Sequence, residues 1–425
     1  MSGAADPARA ARVYAAPVLL LGRPAEPGGR ARFLRDAAVA LEGDVIVAAG
    51  PRAEIEARHG AARRLDAVLL PALVNAHTHL ELSHLRGRVD GGDGLAAWVG
   101  RLLAARGAEV TPAWQAPAPA AREEALALAM EELERAGVAA VGEVTNTLAA
   151  LPHLARAGLA GTLFHEVFGF SPGRIATALA QAEEARRSAG PVAHGLRICL
   201  SPHAVYSTNP RVLGELLRAG PASVHLAEDP AERTFCAEGA GPFAAMNRSL
   251  GARELAPVGR SSVAVAAPHL GPSSLAVHAV DVDAEDLAAL ARSRATVVLC
   301  PRSNLHIGGR LPRLPALLAA GIPLAVGTDS LASAPSLSPL AELAVLADAF
   351  PDLEPERLLP LAWNGEAVGA PTVGRVAPGA APGLLAAPAA GSDPSLDPAR
   401  WLVQAFGAAE QPFRWLARHR PEALA

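Results

Sequence analysis

Two histidines at the end of one apolar segment provide the strongest chemical signal in the sequence. His77 and His79 lie in NAHTHLELSH, directly after the apolar run AVLLPALV. In a β-strand, residues i and i+2 point to the same side, so a strand that ends in His-x-His directs two imidazoles at one point. Imidazole is a common metal ligand in proteins. The spacing therefore predicts a metal site at the end of this strand.

Further polar residues follow apolar runs later in the chain. His203 stands in SPHAVYS, His225 in SVHLAED, His278 in VHAVDVD and Asp329 in LAVGTDS. A single histidine at a strand end is more often a hydrogen-bonded core residue than a ligand. The joint pattern favours one convergent site, because burying each of these groups unpaired would cost several kcal/mol. Glu228, three residues after His225, adds a carboxyl group suited to general acid/base work.

The residues that carry this chemistry need a scaffold that brings strand ends together. Short apolar runs alternate with alanine-rich amphipathic segments between residues 66 and 370. Eight strands that alternate with helices predict an α/β fold with a (β/α)8 TIM barrel, whose active site lies at the carboxyl ends of the strands. The strand candidates are AVLLPALVNA, VAAVGEVTN, TLFHEVFGF, LRICLSPH, ASVHLAE, SLAVHAV, ATVVLCP and IPLAVGT, and the clearest helix candidates are AAREEALALAMEELERAG, RIATALAQAEEARRSAG and AEDLAALARS.

The two ends of the chain differ from the central region in composition and in the pattern of apolar residues. Residues 1–65 contain short apolar runs and turns, and the stretch after about residue 370 is rich in Gly, Pro and Ala. We interpret residues 1–65 and 371–400 as one small β-sandwich domain built from both ends, although a flexible tail would also explain the second segment. Residues 401–425 predict a helical tail that Pro412 interrupts.

Composition narrows the class of protein. The formal net charge is −4 and no arginine run is dense enough for a nucleic-acid surface, so a small-molecule substrate is expected. The three cysteines have no metal-binding spacing, which suits free thiols in a reducing cytoplasm. No segment is long and apolar enough to cross a bilayer. The N-terminal apolar run is short and lacks a clear small-residue cleavage site, so we do not expect a signal peptide.

The motifs together resemble a known family. NAHTHLE, SPHAVYST, VHLAED, CPRSNLHIG and GTDSLAS occur in the order found in the amidohydrolase superfamily. The similarity is greatest to its cytosine, guanine and adenosine-type deaminases and the related chlorohydrolases, and it covers roughly residues 65–370. It implies one divalent metal, zinc in the first place with iron or manganese as alternatives, bound by His77, His79, His225 and Asp329.

The absence of lysine supports a mononuclear site. All 38 basic residues are arginine, whereas binuclear relatives bridge their two metals with a carboxylated lysine. The resemblance further implies that Asp329 takes a proton from the attacking water and that Glu228 protonates the ring nitrogen beside the attacked carbon. His278 would orient the nucleophile. Substrate contacts are expected from His203, Ser303 and Asn304.

The substrate follows from a finer resemblance. LVNAHTHLELSHLRG, VGEVTNT, FHEVFGF and HLAEDPAE look most like aminodeoxyfutalosine deaminases, which convert 6-amino-6-deoxyfutalosine to futalosine and ammonia in menaquinone biosynthesis. Glu81 and Glu166, with Ser83 and Glu143, are expected either to contact ribose or to hold loops by local hydrogen bonds. An arginine would bind the benzoate carboxylate of that substrate, and the candidates are Arg86, Arg88, Arg174 and Arg302.

Other functions stay open on the sequence alone. The same machinery would serve deamination of adenosine, methylthioadenosine, S-adenosylhomocysteine or guanine, or dechlorination of a triazine. A non-catalytic binding protein of the same fold is the alternative from another class, although such proteins can lose ligands that this chain retains. Pro335 departs from the usual family sequence near the mouth of the site. The family resemblance also suggests a homodimer.

Overall fold

The computed structural model describes residues 11–24, 26, 28–106, 120–192, 195–252, 255–391 and 393–419. Residues 1–10 and 420–425, which belong to the predicted N-terminal domain and C-terminal tail, lie outside the described residues. In chain order the strands are β1 (Arg12–Leu20), β2 (Phe33–Glu42), β3 (Val45–Pro51), β4 (Arg63–Arg64), β5 (Ala67–Pro71), β6 (Leu73–Thr78), β7 (Val138–Thr145), β8 (Ala160–Val167), β9 (Leu196–Pro202), β10 (Ala222–Leu226), β11 (Ser274–His278), β12 (Thr296–Leu299), β13 (Leu324–Val326), β14 (Pro382–Pro388) and β15 (Arg414–His419).

Helices occupy most of the connections between these strands. Many of them begin with proline at the first or second helical position, where its missing N–H costs nothing. The α-helices are α1 (Arg52–His59), α2 (Leu95–Arg106), α3 (Ala120–Arg135), α4 (Leu151–Ala157), α5 (Pro172–Ala189), α6 (Pro210–Ala219), α7 (Pro230–Glu238), α8 (Gly241–Ser249), α9 (Ser262–Ala266), α10 (Ala284–Ser293), α11 (Pro301–Gly308), α12 (Leu314–Ala319), α13 (Pro339–Ala349), α14 (Pro355–Leu358) and α15 (Pro398–Arg400).

Two parallel four-stranded sheets form the centre of the molecule. Their strand orders are β6-β7-β8-β9 and β10-β11-β12-β13. An isolated parallel bridge between Ala204 and His225 joins β10 to the end of β9, and one between Thr78 and Asp329 joins β6 to the segment after β13. All eight strand candidates and the three helix candidates of the sequence are therefore confirmed, in a parallel α/β arrangement like that of a TIM-barrel domain.

Strand burial explains why the apolar pattern predicts these strands. Every residue of β6, β7, β8, β10, β11 and β12 is buried, as expected of parallel strands covered on both faces. One prediction needs correction in detail. The apolar run AVLLPALVNA is two strands rather than one, because β5 ends at Pro71 and leaves for another sheet.

The chain ends meet in a seven-stranded sheet of order β15-β14-β5-β1-β2-β3, with β4 paired to β1. The C-terminal strands thus return to the N-terminal ones, since β14 pairs antiparallel with β5. The predicted helical tail is correct only for its first part. Trp401–Gly407 is a helical segment, whereas Arg414–His419 is the edge strand β15. No helix among the described residues is long and apolar enough to cross a membrane.

Candidate active site

The polar residues predicted at strand ends lie at the carboxyl ends of the parallel strands. His77 is the penultimate residue of β6 and His79 follows that strand, while His225 lies near the end of β10. His278 is the last residue of β11, and Asp329 comes three residues after the end of β13. Parallel strands share one carboxyl edge, so these side chains converge there.

The approach of β13 to β6 requires glycine at position 327. A Cβ atom there would lie 2.6 Å from both the Cβ atom and the backbone nitrogen of His77. With glycine in place, the N–H groups of Thr328 and Asp329 both donate to the carbonyl oxygen of His77 at 3.0 Å. This contact fixes Asp329 beside β6, although Asp329 and His77 are distant in sequence.

The four predicted ligand residues form one cluster. The Nε2 atoms of His79 and His225 are 3.2 Å apart. Asp329 Oδ1 lies 3.8 Å from His77 Nε2 and 3.6 Å from His79 Nε2. Two ligands about 2.0–2.1 Å from one tetrahedral ion would be separated by roughly 3.3 Å, so these distances suit a shared metal.

The buried polar atoms of the cluster support the same interpretation. Both ring nitrogens of His77 and Nε2 of His278 are buried with no hydrogen-bond partner among the described residues. Burial, and then the neighbouring imidazoles, lower the pKa of His77 well below its usual value. Burial likewise lowers the pKa of His225 to about 3. The imidazoles of His77 and His225 are therefore neutral at physiological pH, which is the form that binds a metal. These residues fit a divalent ion.

Asp329 keeps its charge within this cluster. Burial alone would raise its pKa, but the imidazoles of His79 and His278 and the hydroxyl of Ser303 outweigh burial and lower that pKa. The Ser303 hydroxyl donates to Asp329 Oδ2 at 2.6 Å, and the N–H of Ser330 donates to Oδ1 at 2.7 Å. Ser303 is fully buried behind Asp329. The structure thus places it against the carboxylate rather than on the cavity wall.

Glu228 and His278 form a second part of the site. Glu228 Oε2 lies 3.4 Å from His278 Nε2, and both side chains are buried. Burial, and then the charges of Asp329, Glu232 and Asp229, raise the pKa of Glu228 well above its usual value. A raised pKa favours the protonated form of a carboxyl group, and that form can act as a general acid.

Asn304 touches His278 from the other side. Its Nδ2 atom is 3.0 Å from His278 Nδ1, and a donated bond there leaves Nε2 to carry the ring proton towards Glu228. Asn304 is buried and is not among the residues that line the cavity. Like Ser303, it stands behind a residue of the site.

The backbone is strained where the site is built. Ala227, His278, Ala279 and Asp329 all have positive φ angles, between 50° and 79°. Non-glycine residues in this region cost about 1–3 kcal/mol each and concentrate at functional sites. The four residues lie at or just after the ends of β10, β11 and β13. The backbone strain is therefore located at the strand ends whose side chains converge on the site.

A cavity of about 170 Å³ opens over the cluster. His203 and Glu166 line it as predicted for substrate contacts, next to His79, His225, Glu228 and Asp329. Glu166 Oε1 lies 3.4 Å from His225 Nδ1, and Asn146 donates to Oε2 at 3.2 Å. The remaining wall is largely apolar and is formed by Leu82, Leu95, Trp98, Val99, Leu102, Leu103, Phe168, Phe170, Met246 and Leu250.

Glu81 lies outside this cavity lining and organises the loop after β7. Its carboxylate accepts hydrogen bonds from the hydroxyls of Thr145 at 2.7 Å and Thr147 at 2.6 Å, and from the N–H of Asn146 at 3.0 Å. Burial alone would raise the pKa of Glu81, but Arg106 and these hydrogen bonds lower it. The ordered loop carries Asn146, which in turn contacts Glu166. Glu81 thus reaches the cavity only through other residues.

The arginine candidates separate clearly. Arg174 lines the cavity, together with Arg106, which sequence reasoning missed because it lies on helix α2 rather than at a strand end. Arg302 is held by Glu342, with Nε 2.6 Å from Oε1, and by oxygens of Ser336. Arg86 and Arg88 line a separate cavity of about 880 Å³, where Arg86 pairs with Glu132.

Comparison with known proteins identifies the family. A model of the amidohydrolase family matches residues 68–398, more than three quarters of the chain. This chain belongs to the amidohydrolase family. It is 31% identical to an aminodeoxyfutalosine deaminase from Deinococcus radiodurans, over 81% of the chain and 82% of the relative. It is 30% identical to a 5-methylthioadenosine/S-adenosylhomocysteine deaminase from Nitratidesulfovibrio vulgaris, over 88% and 84%.

Solved structures share the fold. A Helicobacter pylori aminofutalosine deaminase in complex with methylthio-coformycin has a TM-score of 0.79 at 21% identity, with 95% of this chain and 97% of that chain covered. An adenosine deaminase from Xanthomonas campestris with bound zinc has a TM-score of 0.73 at 23% identity, with 96% and 92% covered. The predicted family and the prediction of a hydrolytic deaminase are confirmed at this level.

Proposed function

We propose that the chain is a mononuclear metal-dependent deaminase of an aminopurine nucleoside, and that its substrate is 6-amino-6-deoxyfutalosine. The observation that carries this proposal is the position of Glu228. Its buried carboxyl group, whose pKa burial raises well above its usual value, shares one cavity with the ligand cluster. Deamination of an aminopurine needs a proton at the ring nitrogen beside the attacked carbon, and Glu228 is suited to supply it.

The reaction uses three residues of the chain. His77, His79, His225 and Asp329 would hold a divalent metal, which would lower the pKa of a water towards neutrality. Asp329, ionised and held in place by Ser303, accepts a proton from the attacking water and passes it to the leaving ammonia. Glu228 donates its proton to the ring nitrogen, and it takes back a proton from the new hydroxyl group on the attacked carbon as that group becomes a carbonyl and ammonia leaves. His278 faces Glu228 at 3.4 Å and orients the nucleophile.

Residues behind the site hold these three in position. We propose that Ser303 aligns Asp329, that Asn304 sets the ring of His278, and that Glu81 shapes the loop carrying Asn146. His203 and Glu166 line the cavity and are proposed to contact the nucleoside. We propose that the catalytic domain is a closed (β/α)8 barrel, in which the carboxyl ends of all strands lie at the same end of the barrel.

The cavity wall favours a substrate with an apolar, anionic extension. Apolar side chains of α2 and of the segment after β8 form one wall, and Arg174 and Arg106 lie among them. A guanidinium group can donate two parallel hydrogen bonds to one carboxylate, whereas a neutral ligand would leave some of its N–H donors unused. The benzoate of aminodeoxyfutalosine has both properties, which agrees with the similarity to the Deinococcus radiodurans enzyme.

Methylthioadenosine or S-adenosylhomocysteine is the second candidate substrate. The Nitratidesulfovibrio vulgaris deaminase of that name is nearly as similar as the first relative. The apolar wall would accept a thioether, and S-adenosylhomocysteine also carries a carboxylate. Both candidates keep the same chemistry at the purine.

Ammonia release from a panel of purine nucleosides tests the proposal, with metal content measured on the same preparation. A preference for aminodeoxyfutalosine over methylthioadenosine, S-adenosylhomocysteine, adenosine and guanine is expected. Preference for a thioether nucleoside would retain the mechanism and change the substrate. A fully metallated protein that releases ammonia from none of them would refute purine deamination and leave chlorotriazines or a non-catalytic role.

A further inference from the structure

Glu232 is a buried carboxylate that the reaction itself does not use. It lies on α7, four residues after Glu228, and its side chain is 1% exposed. Its Oε1 atom accepts the N–H of Glu228 at 2.8 Å, and its Oε2 atom accepts the N–H of Ala227 at 3.0 Å. Ser262 adds a hydroxyl oxygen 3.1 Å from the same Ala227 nitrogen. Both oxygens of Glu232 therefore hold the peptide segment that carries the general acid.

That segment is also held from its other side. Ala227 adopts the left-handed conformation, with φ of 52°. Its carbonyl oxygen accepts the N–H groups of Val280 and Asp281, both at 2.8 Å. These two residues follow His278 closely in the chain. The backbone on which Glu228 stands is thus fixed between Glu232 and the loop that begins at His278.

Helix capping does not account for this use of Glu232. A glutamate at the third position of a helix commonly reaches back to the N–H of the capping residue. The capping residue of α7 is Asp229, whose own side chain accepts the N–H of Ala231 at 2.8 Å. The backbone N–H of Asp229 is one of the donors that lower the pKa of Glu232, but both oxygens of Glu232 also accept N–H groups of the two residues before Asp229, Ala227 and Glu228. A carboxylate buried on neutral donors is costly, so a helix that already has a cap gains little from it.

We propose that Glu232 is a positioning residue for deamination, which holds the main chain at Ala227 and Glu228 so that the Glu228 carboxyl faces the ring nitrogen. This inference rests on the proposed function, because it acts through Glu228. Burial raises the pKa of Glu232 to about 7, and the backbone and serine donors oppose that change. A carboxylate can accept hydrogen bonds from these donors at both of its oxygens. A neutral amide side chain has only one oxygen, so it can accept only part of them.

A double-mutant cycle between Glu228 and Glu232 tests the proposal. Glu232→Gln should lower kcat by about 10- to 100-fold with KM changed less than about threefold, because small misplacements of a catalytic group cost rates of this size. Glu232→Gln added to Glu228→Gln should cause no further loss, since the general acid is already absent. Multiplied losses in the double variant, or full activity of Glu232→Gln, would overturn the proposal.

Hydrogen exchange at the amides of Ala227 and Glu228 gives a readout that does not depend on any substrate. Exchange there should accelerate about tenfold or more in Glu232→Gln, with amides of the distant β1 unchanged. Equal protection of these amides in the wild type and in Glu232→Gln would refute the proposal that Glu232 holds this segment of the main chain. If the wild type deaminates no purine while exchange changes as expected, the proposed function is refuted. The contact of Glu232 with the main chain would then be confirmed, but not its role in deamination.

Asn364→Ala is the matched control for general loss of stability. Asn364 is buried and donates to the carbonyl oxygen of Leu324, at the end of β13 opposite to Asp329. This variant should lower the melting temperature while kcat and the exchange of the Glu228 segment stay at wild-type values. A similar fall of kcat in Asn364→Ala would attribute the effect of Glu232→Gln to stability and contradict positioning.

Discussion

Replacing Glu228 with glutamine is expected to remove proton transfer while leaving the site intact. Glutamine has nearly the same shape as glutamate but has no acidic proton to donate. The Nε2 atom of His278 lies 3.4 Å from Glu228 Oε2. Glu228 is not part of the His77, His79 and His225 cluster that could hold a metal. The change is therefore expected to act on chemistry rather than on metal binding.

The magnitude follows from the environment of the carboxyl group. Burial and the nearby carboxylates raise the pKa of Glu228 well above its usual value, which favours the protonated form of its carboxyl group. General acid catalysis contributes about 10²- to 10⁴-fold. We expect kcat/KM to fall by that factor, which corresponds to about 2.7–5.4 kcal/mol of transition-state stabilisation. KM should change only a few-fold.

The assay is steady-state ammonia release over a range of aminodeoxyfutalosine concentrations, with metal counted per chain. Glu238→Gln, the same change at the exposed last residue of helix α7, which follows Glu228 in the chain, is the control and should behave as wild type. More than a tenth of wild-type activity in Glu228→Gln would refute a general-acid role. Loss of metal from this variant would show that Glu228 supports the ion as well, and would contradict a role confined to proton transfer.

Three further predictions concern the metal, the substrate and stability. His225→Ala should lose the metal and all ammonia release, and chelation of the wild type should do the same reversibly, with bound metal at a thousandfold excess over Kd adding about 4 kcal/mol to the free energy of unfolding; an active metal-free protein would contradict this. Arg174→Gln should lower kcat/KM for aminodeoxyfutalosine about 10- to 100-fold through loss of a charged hydrogen bond, while methylthioadenosine, which has no carboxylate, is turned over as before; equal losses on both substrates would place Arg174 elsewhere. Burial raises the pKa of Glu342 from 4.5 to about 7 despite Arg302, so the folded state keeps a proton that the unfolded chain releases first, and the free energy of unfolding should fall by up to about 3 kcal/mol as pH rises from 4.5 to 7. Denaturant titrations at several pH values should show that the stability of the wild type relative to Glu342→Gln falls as the pH rises; a relative stability that rises instead would reverse the assigned direction.

The parallel strands were predictable because of where they are buried. A strand covered on both faces is a continuous apolar run in the sequence. The eight runs between residues 66 and 370 contain β6–β13, and the first run also contains β5. The chain ends were harder to predict. Arg414–His419 carries mixed apolar and charged residues and becomes an edge strand only because β14 is available to pair with it. A partner that is distant in sequence gives no local signal.

The ligand residues were also within reach of the sequence. His77, His79, His225 and Asp329 interrupt or follow apolar strands, and the family resemblance assigns them one common site. Backbone periodicity predicts that two histidines two residues apart share a face. The structure adds the distances and the buried nitrogens that make a metal fit, together with the raised pKa of Glu228.

What only the tertiary structure decided is which polar residues reach the cavity and which stand behind it. Ser303, Asn304 and Glu81 were expected at the substrate, yet their hydrogen bonds go to Asp329, His278 and the loop after β7. The reason is physical. Residue types and periodicity fix the end of the strand at which a side chain lies, whereas its partner depends on how neighbouring strands and loops approach each other. Arg106, Arg174 and Glu232 owe their positions to the helices that carry them, and no spacing in the chain encodes how those helices pack.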